Sequence, residues 1–195
     1  MNILVIKSSV FGDNGNSSTL VNEQVERLKA QHPDATVVVR DLSADPIPHL
    51  DGERVGAFFT PADQRSEAQQ AVDDFSLALI EELKAADQVV LGLPMYNFGI
   101  PSQLKSWIDH VARAGITFRY TENGPQGLLD NKPVTVLAAR GGLYAGTEND
   151  TVTPYIKLFF GFLGITDLSF VFAEGLNMGD DSKEKAMGEA RAALQ

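Results

Sequence analysis

The sequence reads as an α/β protein, a five-stranded parallel sheet with helices on both faces. Three observations carry that reading. Short runs rich in β-branched residues are almost continuously apolar rather than alternating, as strands covered on both faces are. Between them, apolar residues recur at helical spacing. Strand and then helix repeats along all 195 residues, and no repeat, low-complexity tract or charge block marks a second domain. One domain over 1–195 is therefore expected.

The elements follow in order. Asn2–Lys7 is the first strand, and Leu20, Val21, Val25 and Leu28 stripe the helix behind it. Thr36–Arg40 is the second strand, followed by Asp41–Thr60, whose Pro46, Pro48, Gly52 and Gly56 read as a long irregular connection. Val72, Phe75, Leu79 and Leu83 mark a helix before the third strand, Gln88–Leu93. Leu104, Trp107, Ile108 and Val111 mark the next helix, and Arg113–Asn131 reads as a second long loop. Pro133–Ala139, helix Val152–Leu163, Leu168–Ala173 and helix Lys183–Leu194 complete the alternation. Loops of that length inside a compact domain are usually functional or form contacts.

Composition excludes several classes. The chain has no cysteine, which removes disulfides, thiolate metal sites and every cysteine nucleophile. A net charge of −10 repels nucleic acid and anionic lipid, so neither is expected as a partner. The opening MNILVIKSSV turns polar too soon for a signal peptide, and no apolar run approaches the roughly 18 residues of a membrane helix. A cytoplasmic protein is expected. The three histidines, His32, His49 and His110, read as surface, loop or capping positions. The adjacent carboxylates Asp73-Asp74, Glu81-Glu82 and Asp180-Asp181 do not share a helix face and read as solvated surface.

Open α/β sheets bind ligands beyond the carboxyl ends of their strands. The first strand ends in Lys7-Ser8-Ser9, and Gly15, Asn16 and Ser17 open the helix after it. Hydroxyls and free N–H groups at a helix start make a phosphate cradle, although Ser17 or Ser18 could simply cap the helix. Ser9 with the Gly12–Gly15 loop exceeds what a cap requires. No Walker loop and no G-x-G-x-x-G is present. The third strand ends in Pro94-Met95-Tyr96-Asn97-Phe98-Gly99, with flat apolar rings beside polar groups, as a planar heteroaromatic ligand requires. The fourth ends in Ala139-Arg140-Gly141-Gly142, where paired glycines admit either a ligand or a tight turn. Together the three ends fit a flavin mononucleotide (FMN).

The long runs Ala112–Leu128 and Gly161–Gly175, with Lys7-Ser8-Ser9, Asp41-Leu42, Pro46-Ile47-Pro48, Pro94–Phe98 and Arg140-Gly141-Gly142, resemble the bacterial FMN-dependent NADH azoreductases, relatives of the two-electron NAD(P)H:quinone reductases. The resemblance covers almost the whole chain. It implies a flavodoxin-like fold and a homodimer with active sites at the interface. It also implies tightly bound FMN, held by Ser9, Gly15, Asn16 and Ser17, by Met95, Tyr96, Asn97 and Phe98, and by Ala139, Arg140, Gly141 and Gly142. Tyr120 and Phe162 are implied as walls of a substrate slot, with Phe98 beside them. The family's phosphate loop often reads Ser-x-Ser, whereas this chain has Gly15-Asn16-Ser17; the N–H is kept and the affinity is expected to change.

The expected reaction passes two electrons from NADH to quinones and azo compounds by ping-pong kinetics, cleaving azo bonds to amines. The flavin carries the chemistry, so no side chain is needed as an obligate acid or base and no metal is expected. An excess of phenylalanine in Phe159, Phe160 and Phe162 points to the dimer interface. NADH is expected over NADPH, because no base lies between Arg54 and Arg65 in the segment read as reaching the adenosine end. The alternative is a flavodoxin-type single-electron carrier, opposed by the Arg113–Asn131 excursion. A receiver domain would need carboxylates after the first strand, where Lys7-Ser8-Ser9 offers none.

Overall fold

The computed structural model describes residues 1–194. Strands β1 (Asn2–Lys7), β2 (Thr36–Asp41), β3 (Gln88–Pro94), β6 (Val134–Ala139) and β7 (Leu168–Ala173) form one sheet in the order β2-β1-β3-β6-β7, all pairs parallel. Alternate side chains of β1 enter different cores. Ile3 and Val5 pack with α1 (Asn16–Gln31) and α6 (Asp180–Ala193), while Leu4 and Ile6 pack with α3 (Glu67–Ala85), α4 (Ser102–Val111) and α5 (Val152–Leu163). Every side chain of β6 is buried, as a central strand covered twice must be. The sequence expectation of a doubly covered parallel sheet holds. No helix among the described residues is long and apolar enough to cross a membrane.

Two segments differ from their reading as irregular. Asp41–Thr60 contains α2 (Gly52–Phe59), started by the Asp51 carboxylate, which accepts the Arg54 N–H at 2.9 Å. Gly56, in its interior, costs about 1 kcal/mol relative to alanine, and Gly52 opens the helix as its first residue. Packing against α3 offsets that, with the Arg113 guanidinium 3.7 Å above the Phe58 ring. Arg113–Asn131 folds into a hairpin, β4 (Phe118–Thr121) and β5 (Gly124–Gly127), paired Phe118 to Gly127 and Thr121 to Gly124.

Two polar expectations are also corrected. Asp73 is buried, not solvated: Arg65 donates to one of its oxygens at 2.5 Å and Arg113 to the other at 2.6 Å. Adjacent helical residues point about 100° apart, so Asp74 stays exposed while Asp73 faces inward. Glu82 likewise leaves solvent to take a two-pronged bond from Arg40. His110 is buried rather than capping. Its ring lies edge-on to Phe58 and Phe75, and Nδ1 bonds the Ser106 carbonyl at 2.9 Å. Burial pushes its pKa below the ordinary 6.5.

The C-terminus of α3 is closed by Lys132, which donates to the carbonyls of Leu83, Lys84 and Ala86 at 2.6–2.9 Å. Removing Asp73 strands two cations in a dry site. Asp73→Ala is expected to cost about 3–5 kcal/mol. At this chain length that lowers the thermal midpoint by about 10 °C, read by calorimetry.

Candidate FMN site

The carboxyl ends of β1, β3, β6 and β7 converge on a cleft of about 160 Å³. Ser9, Gly15, Asn16, Ser17, Met95, Tyr96, Ala139, Arg140 and Gly141 line it, nine of the twelve residues selected from the sequence for FMN. Asn97 and Phe98 follow Tyr96 on the turn after β3, where Phe98 lines a separate cleft of about 460 Å³ with Ile100, Thr151, Val152 and Tyr155, and Gly142 follows Gly141 beside Tyr144. Phe11, Leu176 and Asn177 line it too and escaped the sequence reading, while Pro94, the first residue of the strand-end run named there, lines it as well. Leu176 and Asn177 lie just past the end of β7, so the strand-end rule applied to the last strand would have found them.

The first wall is the start of α1. Gly15 occupies its N-cap position without any capping side chain, so the leading N–H groups have no protein side chain to serve them. The Ser17 and Ser18 hydroxyls are buried and unpartnered there. A buried donor left unmade costs about 1–3 kcal/mol, so this cradle calls for an acceptor such as a phosphate. A Cβ on Gly15 would lie 2.1 Å from Ser9 Oγ. Glycine is therefore demanded by Ser9, and the missing hydroxyl of a Ser-x-Ser pattern is the consequence. Ser9 in turn meets the Tyr96 hydroxyl at 3.2 Å and accepts the Phe11 N–H, tying the first loop to the third. Lys7 is committed to Asp13 at 2.6 Å, an ion pair that holds the Asp13 carboxyl below its usual range.

The second wall is a tight turn in which Tyr96 and Gly99 exchange both backbone hydrogen bonds. Asn97 at φ 50° and Phe98 at φ 61° fill its two central positions. Both angles are positive, as the type I′ turn requires. Asparagine tolerates that region, whereas a phenylalanine there is strained by about 1–3 kcal/mol, and such strain collects at functional sites. Gly99, next in the chain, needs no positive φ, so the demanding conformations fall on two residues that have side chains. Phe98 is 56% exposed and its ring meets Tyr144 edge-on at 5.6 Å.

The third wall is the loop after β6. The carbonyls of Arg140, Gly141 and Gly142 accept from Leu176, Asn177 and Gly175 at 2.9–3.1 Å. With those carbonyls engaged, the N–H groups of Gly141 and Gly142 remain as donors, engaging no protein acceptor among the described residues. A Cβ on Gly141 would lie 2.5 Å from Asn177 Nδ2, so a larger residue there would displace the Asn177 side chain. The Arg140 guanidinium does not face the cleft. It is 1% exposed and turned inward onto Asp150, Glu174 and Thr153, so Arg140 offers the cleft main chain. These are groups that FMN fits: orphaned donors for its phosphate, a flat aromatic turn and backbone donors for its ring edge.

Tyr120 and Phe162 lie elsewhere in the chain. They flank Phe118, with ring centroids at 5.6 and 4.2 Å, and Tyr120 is 75% exposed on the hairpin. Phe162 shares a separate apolar depression with Ala112, Tyr155, Leu158 and Phe159. Within one chain they do not meet the cleft. Phe159, Phe160 and Leu163 are absorbed by the core, so the excess apolarity left for another surface is Leu158 and Phe162. The hairpin is pinned to the end of α5 by backbone. A Cβ on Gly127 would sit 2.1 Å from the Gly164 nitrogen, and Gly164 needs its φ of 102° to end the helix. Gly127→Ala is expected to lift the hairpin at a cost of about 1–3 kcal/mol. Trypsin cleavage after Arg119 should then accelerate about tenfold or more while far-UV dichroism is kept.

Comparison with known proteins agrees with this geometry. The FMN-dependent NADH:quinone oxidoreductase of Alcanivorax borkumensis is 82% identical over 194 residues, covering 100% of this chain and 98% of the relative. That of Cellvibrio japonicus is 55% identical over 99% of this chain and 96% of its own. Among solved structures, an FMN-dependent NADH-azoreductase from Bacillus anthracis in complex with FMN superposes with a TM-score of 0.88 at 28% identity, over 99% of this chain and 97% of that one. Residues 1–195 match a family described as having a flavodoxin-like fold. With that match and two relatives more than half identical along nearly their whole length, the chain belongs to this flavodoxin-like-fold family.

Proposed function

We propose that the cleft at the carboxyl edge binds one FMN per chain and that the protein is an FMN-dependent NADH:quinone oxidoreductase with azoreductase activity. The single observation that carries the reading is the cradle at α1, where Ser17 and Ser18 are buried without partners at the cleft on which four strand ends converge. The named relatives support the cofactor and the donor. A flavodoxin-type electron carrier would share the fold, but the hairpin and the relatives both favour the reductase.

Bound FMN supplies the two-electron chemistry, taking hydride from NADH and delivering it to a quinone or azo compound. The chain's part is placement and electrostatics. Ser9, Asn16, Ser17 and the leading N–H groups of α1 hold the phosphate. The turn Tyr96–Gly99 would present Phe98 as a flat wall to bound FMN, and the Gly141 and Gly142 N–H groups would stabilise negative charge developing on it. No side chain is placed as an obligate acid or base. One slot serving donor and acceptor in turn gives ping-pong kinetics.

The remaining aromatic walls come from a second copy in this reading. Tyr120 projects on a pinned arm and Phe162 lines a depression other than its own cleft, so on this reading each completes the slot of a partner in a homodimer. The reaction is assigned to the cytoplasm, where NADH is available.

Titration of apoprotein with FMN, followed by quenching of flavin fluorescence, tests the cradle. One equivalent is expected. Ser17→Ala should weaken FMN about tenfold or more and leave riboflavin, which lacks the phosphate, unchanged. Equal losses for both ligands would place the phosphate elsewhere.

The donor preference has a separate test. Arg54 is paired with Asp51, and Arg65 with Asp73 and the Thr60 carbonyl, so neither is free for a 2′-phosphate. NADH is expected to exceed NADPH in kcat/KM by about tenfold at one ionic strength. Phe59→Arg, on a ring 78% exposed, should narrow that ratio.

A further inference from the structure

Behind the Gly141–Gly142 wall lies a cluster that the reaction as described does not use. Arg140 donates to Glu174 Oε1 at 3.2 Å, to Asp150 Oδ1 at 2.9 Å and to the Thr153 hydroxyl at 2.6 Å. The same Glu174 oxygen accepts the N–H groups of Tyr144 and Ala145 at 2.9 and 2.8 Å. Asp150 accepts the Thr153 N–H at 3.0 Å at the start of α5. Two carboxylates thus share one guanidinium, and among the described residues no second cation pairs with either. The cluster carries one uncompensated negative charge.

That charge is poorly screened. The side chains of Arg140, Asp150 and Glu174 are 1%, 7% and 16% exposed. Glu174 grips Tyr144 and Ala145, two and three residues beyond Gly142, and the loop it holds carries the donors facing the cleft. Charges a few ångströms apart inside a protein interact several times more strongly than in water. A cofactor that accepts a hydride gains negative charge, so a fixed anion behind the wall opposes its reduction.

We propose that Glu174, held with Asp150 on the buried Arg140, keeps the reduction potential of the cofactor at the Gly141–Gly142 wall low, through the cluster's one uncompensated negative charge. The inference rests on the FMN reading of the cleft. A low potential weakens the pull on the donor's hydride and strengthens delivery to the acceptor, so Glu174 divides the driving force between the two half-reactions.

The test is a spectroelectrochemical titration of the FMN-loaded enzyme against reference dyes, with FMN affinity measured separately on each variant. Glu174→Gln keeps an oxygen for the Tyr144 and Ala145 N–H groups and removes only the charge. Its midpoint is expected to rise, with the two-electron equilibrium shifted about tenfold, which is about 30 mV. Glu174→Asp, which keeps the charge, should stay at the wild-type potential. Asp150→Asn, neutralising the other carboxylate, should move the midpoint in the same direction, and it decides the matter if Glu174→Gln does not fold. A neutralised variant that binds FMN at the wild-type potential overturns the proposal and leaves Glu174 a holder of the loop. Failure of the wild type to bind FMN would overturn the reading of the cleft, and the binding titration registers that independently of any potential.

Discussion

The carboxyl edge depends on one constraint: strands β1, β3 and β6 have no exposed face. Leu4 and Ile6 are claimed by one helix layer while Ile3 and Val5 are claimed by the other, and β6 is buried throughout. Within such a sheet the backbone groups are paired sideways with neighbouring strands, so donors without a strand partner are left only beyond the strand ends. The N-terminus of α1, the turn at Asn97 and Phe98 and the glycine pair after β6 are therefore gathered along one edge, each with donors that the protein itself does not use.

Within that edge, close contacts decide residue identity more than chemistry does. Gly15 is glycine because Ser9 occupies the space, and Gly127 because the backbone at the end of α5 lies against it. The phosphate cradle keeps its N–H groups at the cost of one hydroxyl, and the Ser9–Tyr96 contact links it to the aromatic turn. Rigidity of this kind suits a site whose cofactor does the chemistry, because a pre-set cavity binds without reorganising.

Charge is distributed on a similar logic. Asp73 between Arg65 and Arg113 balances two cations with one anion far from the cleft, and its role is to join α3 to the segment leading into the hairpin. Arg140 reverses the ratio, one cation to two anions, directly behind the cofactor wall. The first arrangement ties elements together; the second leaves an excess of negative charge behind one wall of the cleft.

The sequence by itself determined the doubly covered parallel sheet, because continuous β-branched runs alternating with helical stripes have no other good burial. It also determined most of the cleft, because strand ends in such a sheet are where ligands go, and Ser9, Ser17, Met95 and Gly141 stand there. Helix α2 was hidden by its own glycines, since packing against α3 and Arg113, not local propensity, makes it a helix. The burial of Asp73 and His110 was equally illegible, because their partners Arg65, Arg113 and Phe58 come from other elements. Tertiary structure alone turned Arg140 away from the cleft, put the strain on Asn97 and Phe98, and separated Tyr120 and Phe162 from the cleft of their own chain. The physical reason is common to these cases: side-chain direction and the identity of a distant partner are set by packing, which no local spacing encodes.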